Sequence, residues 1–240
     1  MIADRTNVFN QPIGAEVNNW KGALAPGRAS IEARLCLIEP LSVQHHLDDL
    51  DEAFSLDPDG KLWTYMANGP FDSKASFGTW LAMVAQTEDP LFHAIINKQT
   101  GKAVGMAAYM RIKPAAGVIE IGNISFSPAL QKTALATEAM FLFMLRAFEE
   151  LGYRRFEWKC DSLNAASIKA AQRLGFVYEG ESRQALVYKG RNRDTKWFSI
   201  LDGDWPHLKQ AYLSWLDPEN FDEQGQQRQK LQNFIKPQNS

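Results

Sequence analysis

The 240-residue chain is poor in cysteine, has no marked excess of charge of either sign, and contains no long uninterrupted apolar run. Its two cysteines, Cys36 and Cys160, lack the spacing of a zinc site, and a single pair makes no disulfide framework. Two thiols in a reducing compartment, and no metal, are the expectation. A formal net charge of -2 supplies no global field toward nucleic acid or an anionic membrane, so neither is expected as a partner. The stretch from Leu135 to Leu151 is the richest in apolar residues, but Thr137, Glu138, Arg146, Glu149 and Glu150 interrupt it, and it is too short and too charged to cross a bilayer. The opening residues MIADRTNVFNQPIG lack the basic-then-apolar order of a secretory signal, so a cytoplasmic location is expected. The glycine fingerprint of dinucleotide folds and the Lys-Ser/Thr phosphate loop are also missing.

What is present is an ordinary globular composition, 45% hydrophobic and 22% charged. Residues 1–32 show no periodicity and read as an irregular extension. Residues 33–216 carry the domain, and 217–240 form a polar tail expected to add little core. ARLCLIEPL (33–41) reads as a strand. Ser42 is placed to cap a helix through Phe54, and Asp72 or Ser73 a second helix from Lys74 to Gln86. LFHAIIN and AVGMAAYMRI, joined by KQTGK, read as a hairpin, followed by a strand over VIEIGNISF (118–126). Residues 133–151 read as a helix apolar nearly all round, hence buried. YRRFEWKC (153–160) reads as a strand, 162–175 as a helix ended by Gly175, and 176–190 with 193–201 as a closing strand pair. A short helix after Pro206 and a weak helical signal near 226–235 complete the chain. The order predicts a mixed sheet with helices on both faces.

The strand IEIGNISFSP runs directly into Gln131-Lys132-Thr133-Ala134-Leu135-Ala136-Thr137, which opens the longest helix. A helix N-terminus presents unpaired N–H groups and a positive dipole end, which suits phosphate. Ala134 and Ala136 allow close backbone approach; Gln131, Lys132, Thr133 and Thr137 are placed to reach it. Further on, Asn164 can cap a helix, with Ser167 one turn along on the same face.

Gln131-x-x-Ala134-x-Ala136 resembles the pyrophosphate loop of the GNAT N-acetyltransferase superfamily, usually Gln/Arg-x-x-Gly-x-Gly/Ala. Trp158-Lys159-Cys160-Asp161-x-x-Asn164-x-x-Ser167, continuing through Arg173-Leu174-Gly175-Phe176 to Glu179-Gly180-x-x-Arg183, resembles its RimJ/RimL ribosomal-protein N-acetyltransferase branch. The likeness runs from about Ala33 to Trp205. It implies an α/β (α+β) fold with a mostly antiparallel mixed sheet, splayed between two parallel central strands, here 119–126 and 154–160. It implies acetyl-CoA as co-substrate, seated by Ser125, Phe126, the loop Gln131 to Thr137 including Leu135, Asn164 and Ser167. The implied reaction is direct attack of a primary amine, a protein N-terminus or a small molecule, on the thioester. A backbone N–H near Ser125 or Phe126 would polarise the carbonyl, and Ser167 would protonate the departing thiolate.

For the base, Glu120 on an apolar strand is the first candidate, since burial raises a carboxyl pKa. His93 and a water relay are alternatives. The strand after Glu-Gly-x-x-Arg reads Gln184-Ala185-Leu186-Val187-Tyr188, without the carboxylate some relatives place there. Trp20, Trp63, Tyr65 and Trp80 fall in segments that border the acceptor cleft in this fold. A non-catalytic acyl-CoA-binding or sensor protein is the alternative reading, and many relatives are homodimers.

Overall fold

The computed structural model describes residues 5–235. The strands are β1 (Ile31–Glu32), β2 (Cys36–Pro40), β3 (Leu91–Asn97), β4 (Lys102–Lys113), β5 (Val118–Phe126), β6 (Arg155–Asp161), β7 (Val177–Tyr188) and β8 (Arg191–Leu201). They form one sheet in the order β1-β2-β3-β4-β5-β6-β8-β7. Every neighbouring pair is antiparallel except β5 with β6, which is parallel. That one crossover requires a helix between the strands, and the long helix of the sequence supplies it.

The helices are α1 (Val43–Ser55), α2 (Lys74–Val84), α3 (Ala134–Leu145), α4 (Ala165–Arg173), α5 (Trp205–Leu216) and α6 (Leu231–Ile235). They divide between the two faces of the sheet. On one face α3, α4 and α5 bury Phe141, Phe143, Leu174 and Tyr212 against Ile119, Ile121, Phe156, Trp158, Phe198 and Ile200. On the other, α1 and α2 bury Leu50, Phe54, Phe77, Trp80 and Leu81 against Phe92, Ala94, Met106 and Ala108. The second cover stops at β4. Over β5, β6 and β8 the sheet instead presents Glu120, Glu157, Lys159 and Ser199, all on one face by strand alternation.

Several boundaries differ from those expected. The buried helix is α-helical only to Leu145; Arg146–Glu150 form a π-turn before Gly152, at φ 75°, ends it. Arg146 is held there because its guanidinium donates to the carbonyls of Ala29 and Ser30, and its Nε to Glu150. The extension is therefore irregular only up to its last residues, which are tied to this arginine and then enter the sheet as β1. The tail adds more core than expected: Leu231 is buried, and Phe221 and Ile235 pack on the larger cluster. Ser42 does not cap α1 with its side chain; its N–H donates to Nδ1 of His46. Ser73 does cap α2, in a reciprocal box with Ser76. The fourth helix is shorter than expected, because Asn164 stands before its first turn as the cap.

His93 is a core residue. It is fully buried between the rings of Tyr109 and Phe143, with Nδ1 against the Leu91 carbonyl. Burial, with Arg146 and Arg28 adding to it, holds its pKa down at about 4 against 6.5 when exposed. The unfolded chain thus binds the proton first as pH falls, so stability falls with pH between 6.5 and 4. From pH 7 to pH 5 this one group removes about 2 kcal/mol. The unfolding free energies from urea melts of the wild type and of His93→Phe should diverge by this amount between pH 7 and pH 5; parallel pH dependences would refute it.

Candidate active site

The β5–β6 ladder is short. It pairs Val118 with Arg155 through Ile121 with Trp158, and stops there. Beyond it β5 runs on to Phe126 and β6 to Asp161, each paired only on its outer side. The cause is in β5. Between Gly122, opposite Ala108, and Ser125, opposite Met106, β5 uses one more residue than β4, and Asn123 takes a φ of 48°. This bulge bends β5 away from β6. It also breaks the alternation assumed for the strand: Ser125, not Ile124, shares a face with Glu120 and Gly122, and Ile124 packs on the opposite cluster.

The mouth of the resulting slot leads to the N-terminus of α3. Ala134 is an ordinary first residue of that helix, and the positive φ of the loop, 62°, falls at Lys132. The departure from glycine at 134 therefore carries no backbone strain. The polar side chains are used differently from expectation. Gln131 Nε2 donates to the Phe126 carbonyl at 2.8 Å, closing the loop rather than facing outward. Thr133 caps the helix, accepting from Ala136 N–H and donating to Leu130. The Thr137 hydroxyl is buried and accepts from Arg173 at 2.5 Å, so it is not available from outside. Ser125 is likewise fully buried, leaving its backbone. Among the described residues, the N–H groups of Lys132, Ala134 and Leu135 have no hydrogen-bond partner, and the Lys132 side chain is exposed. An opened strand pair ending in unpaired amides and one lysine fits a long ligand with a phosphate at one end.

On the other wall Asn164 Oδ1 accepts from Ser167 N–H, which makes it the cap of α4. The Ser167 hydroxyl accepts from Trp158 Nε1 at 2.9 Å and lies beside Cys160. Its oxygen thus accepts from Trp158, and the hydroxyl is also within hydrogen-bonding reach of the Cys160 thiol. Burial raises the Cys160 thiol, which makes it a packed, unreactive group.

Glu120 is 3% exposed and sits among charges, not in the apolar setting the sequence suggested. Arg111 Nη1 reaches both its oxygens at 2.7 Å and Lys159 Nζ is 2.9 Å away. Lys159 also bridges to Glu157 at 2.7 Å and lies 3.9 Å from the centre of the Trp197 ring. Arg155 continues the chain from Glu157 to Glu179. Burial pushes the Glu120 carboxyl up, and Lys159 and Arg111 pull part of that back. Glu179, beside Arg155, is held down at about 2. Sequence reading missed Arg111, Lys159 and Glu157 as partners; the parallel register and the i, i+2 spacing of 157 and 159 were the available signal.

Of the four aromatics, Trp63 and Trp80 are in the core under α2, and Trp20 donates to Ala115 at the far end of β5. Tyr65 alone reaches the slot, its hydroxyl donating to the Leu163 carbonyl at 3.1 Å. Tyr188, which was not singled out, donates to Asp161 Oδ2 at 2.8 Å, and Lys189 reaches the Trp63 carbonyl at 2.7 Å. The β7–β8 turn and the α1–α2 loop thus wall this side of the slot.

A bulged strand, a splayed parallel pair and an open helix N-terminus define the class: a mixed-sheet fold with a slot opened between its two central parallel strands. Residues 37–177 match the family described as Acetyltransferase (GNAT) domain, and the chain belongs to that family. A GCN5-related N-acetyltransferase from Brucella melitensis is 48% identical, with a TM-score of 0.89 over 91% of this chain and 99% of its own. A probable GNAT acetyltransferase from Chromobacterium violaceum is 43% identical, TM-score 0.76, over 82% of this chain and 98% of its own. A ribosomal-protein-serine acetyltransferase structure from Vibrio cholerae shares the fold at 18% identity, TM-score 0.62, over 72% of this chain and 97% of its own. The ribosomal-protein branch is therefore a distant likeness. Acetyl transfer is the family's activity, and the fold implies acetyl-CoA as co-substrate.

Proposed function

We propose that the protein is an acetyl-CoA-dependent N-acetyltransferase acting on a primary amine, with Glu120 as proton acceptor and Ser167 as proton donor. The observation that carries the reading is the end of β5–β6 pairing at Ile121 and Trp158, in line with the unpaired N–H groups of α3. Lys132, Ala134 and Leu135 hold the diphosphate, and Asn164 keeps its amide nitrogen for the pantetheine arm. The co-substrate brings the activated acetyl carbon to the bulge, where backbone N–H near Ser125 or Phe126 draws charge onto the carbonyl oxygen. Glu120, raised by burial, takes the ammonium proton directly or through one water, and the Arg111–Lys159 pair fixes its position. Ser167, whose oxygen accepts from Trp158, is the group offered as proton donor to the departing thiolate.

The test is thiol release over a panel of amines and peptide N-termini, for wild type, Glu120→Gln and Ser167→Ala, with acetyl-CoA binding measured separately. Glu120→Gln should lower kcat/KM by about 100-fold or more and abolish its acid limb, and Ser167→Ala should lower kcat by about tenfold with little change in binding. Unchanged turnover in Glu120→Gln would remove it as the base. Acetyl-CoA binding by the wild type without thiol release from any amine would favour a non-catalytic acyl-CoA sensor.

A further inference from the structure

On the acceptor side, one strand beyond the charged network, β8 carries two polar side chains that the fold leaves unsatisfied. Arg193 Nε and Thr195 Oγ1 are both buried without a hydrogen-bond partner. They are two residues apart, so they share a face. It is the face of Trp197, Lys159 and Asp161, as the pairing of Thr195 with Asp161 and of Trp197 with Lys159 shows. Arg193 forms no ion pair among the described residues; its guanidinium lies 5.7 Å from the centre of the Tyr188 ring. Tyr188 is itself fixed by donating to Asp161, whose other oxygen accepts from Leu163 N–H. Both oxygens of Asp161 thus accept from other donors, and neither pairs with Arg193.

A partly buried guanidinium placed over an anchored ring, next to an unpartnered hydroxyl, is costly unless something completes it. Solvation alone does not explain why the acidic neighbour is spent on a tyrosine. Thr195 pairs with Asp161, the last residue of β6, and Arg193 stands one two-residue step further, about 7 Å along the sheet. The pair therefore overlooks the open end of the slot.

Resting on the proposed acetyl transfer, we infer that Arg193 and Thr195 form an anion subsite that selects acceptors bearing a carboxylate a few bonds from the reacting amine, such as a free amino acid or an acidic peptide N-terminus. The planar fork of arginine takes two carboxylate oxygens at once, and the Thr195 hydroxyl takes one. The site supplies specificity; it does not touch the reacting atoms.

The experiment uses the full chain with acetyl-CoA and matched probes: pooled L-amino acids and acidic tripeptides, each against its carboxamide. Wild type should favour the acids over the amides by at least about tenfold in kcat/KM, the scale of one bidentate charged contact, and Arg193→Met should reduce that ratio to near one. Arg193→Lys should fall between. Melting temperature and CoA affinity of the variants, equal to wild type, exclude misfolding as the cause. A second arm measures binding of the N-acetylated acids and of their carboxamides to the CoA-loaded protein, which needs no turnover. Weaker binding to Arg193→Met there, with no thiol release from any amine, keeps the subsite and sinks acetyl transfer. No wild-type preference for acids in either arm, or the same preference in Arg193→Met, overturns the subsite.

Discussion

Ala134→Asp is expected to weaken CoA binding by about 100-fold while leaving the protein at least as stable as before. Ala134 is the first residue of α3 and partly exposed, and its N–H is among the unpaired donors at the slot's end. A carboxylate there lies in the first helical turn, where the helix dipole favours a negative charge by about 0.3–1 kcal/mol. The same carboxylate meets a diphosphate at a few ångströms. With an effective dielectric near 20, one such repulsion costs roughly 3 kcal/mol, or about 100-fold in affinity. Stability and binding therefore move in opposite directions. Calorimetric titration with CoA, beside a thermal melt of the unliganded protein, reads both. Retained affinity would place the diphosphate elsewhere and undo the slot assignment.

Glu138→Ala is expected to destabilise the fold by about 3 kcal/mol, lowering the melting temperature by roughly 9 °C in a chain of this size. Glu138 is 3% exposed inside α3, and its Oε2 accepts the N–H groups of Leu35 at 2.6 Å and Cys36 at 2.9 Å. It thereby completes the start of β2, which has β1 on one side and β3 on the other. Alanine leaves two N–H groups without a partner, one buried and one part-buried, and a buried one costs about 1–3 kcal/mol. Glutamine keeps one acceptor oxygen, so Glu138→Gln should lose less than half as much. Equal losses in the two variants would show that charge, not acceptance of the two N–H groups, is what the site requires.

Why were the start of α3 and the cap of α4 legible in the sequence, and the surroundings of Glu120 much less so? The loop before α3 and the Asn164–Ser167 cap are local: each depends on residues within one turn or one strand end, and α3 begins one residue after Thr133, its cap. The strand 118–126 was placed to the residue for the same reason, since turn residues bound it at both ends. Glu120's surroundings are non-local. Arg111 comes from the neighbouring hairpin and Lys159 from across the parallel pair, so neither is visible until the register is known. Arg193 and Thr195 were further out of reach, because an unsatisfied buried atom is a property of packing and not of sequence. The buried Glu138 read only as an interruption of an apolar helix; its partners are about a hundred residues upstream.

A sheet of eight strands ordinarily has two edges, and this one has two more inside it. Past Ile121 and Trp158, the facing sides of β5 and β6 are rims without a neighbour, in the middle of the molecule. On the proposed reading, an amide-bearing ligand laid between them would act as a guest strand, closing a ladder that the polypeptide leaves open. Its binding energy is then folding energy for the centre of the sheet, growing as RT ln(1 + [L]/Kd). Amide exchange at Gly122–Phe126 and Lys159–Asp161 should slow on loading far more than exchange in β3, and cellular turnover of the protein should follow the supply of its own substrate.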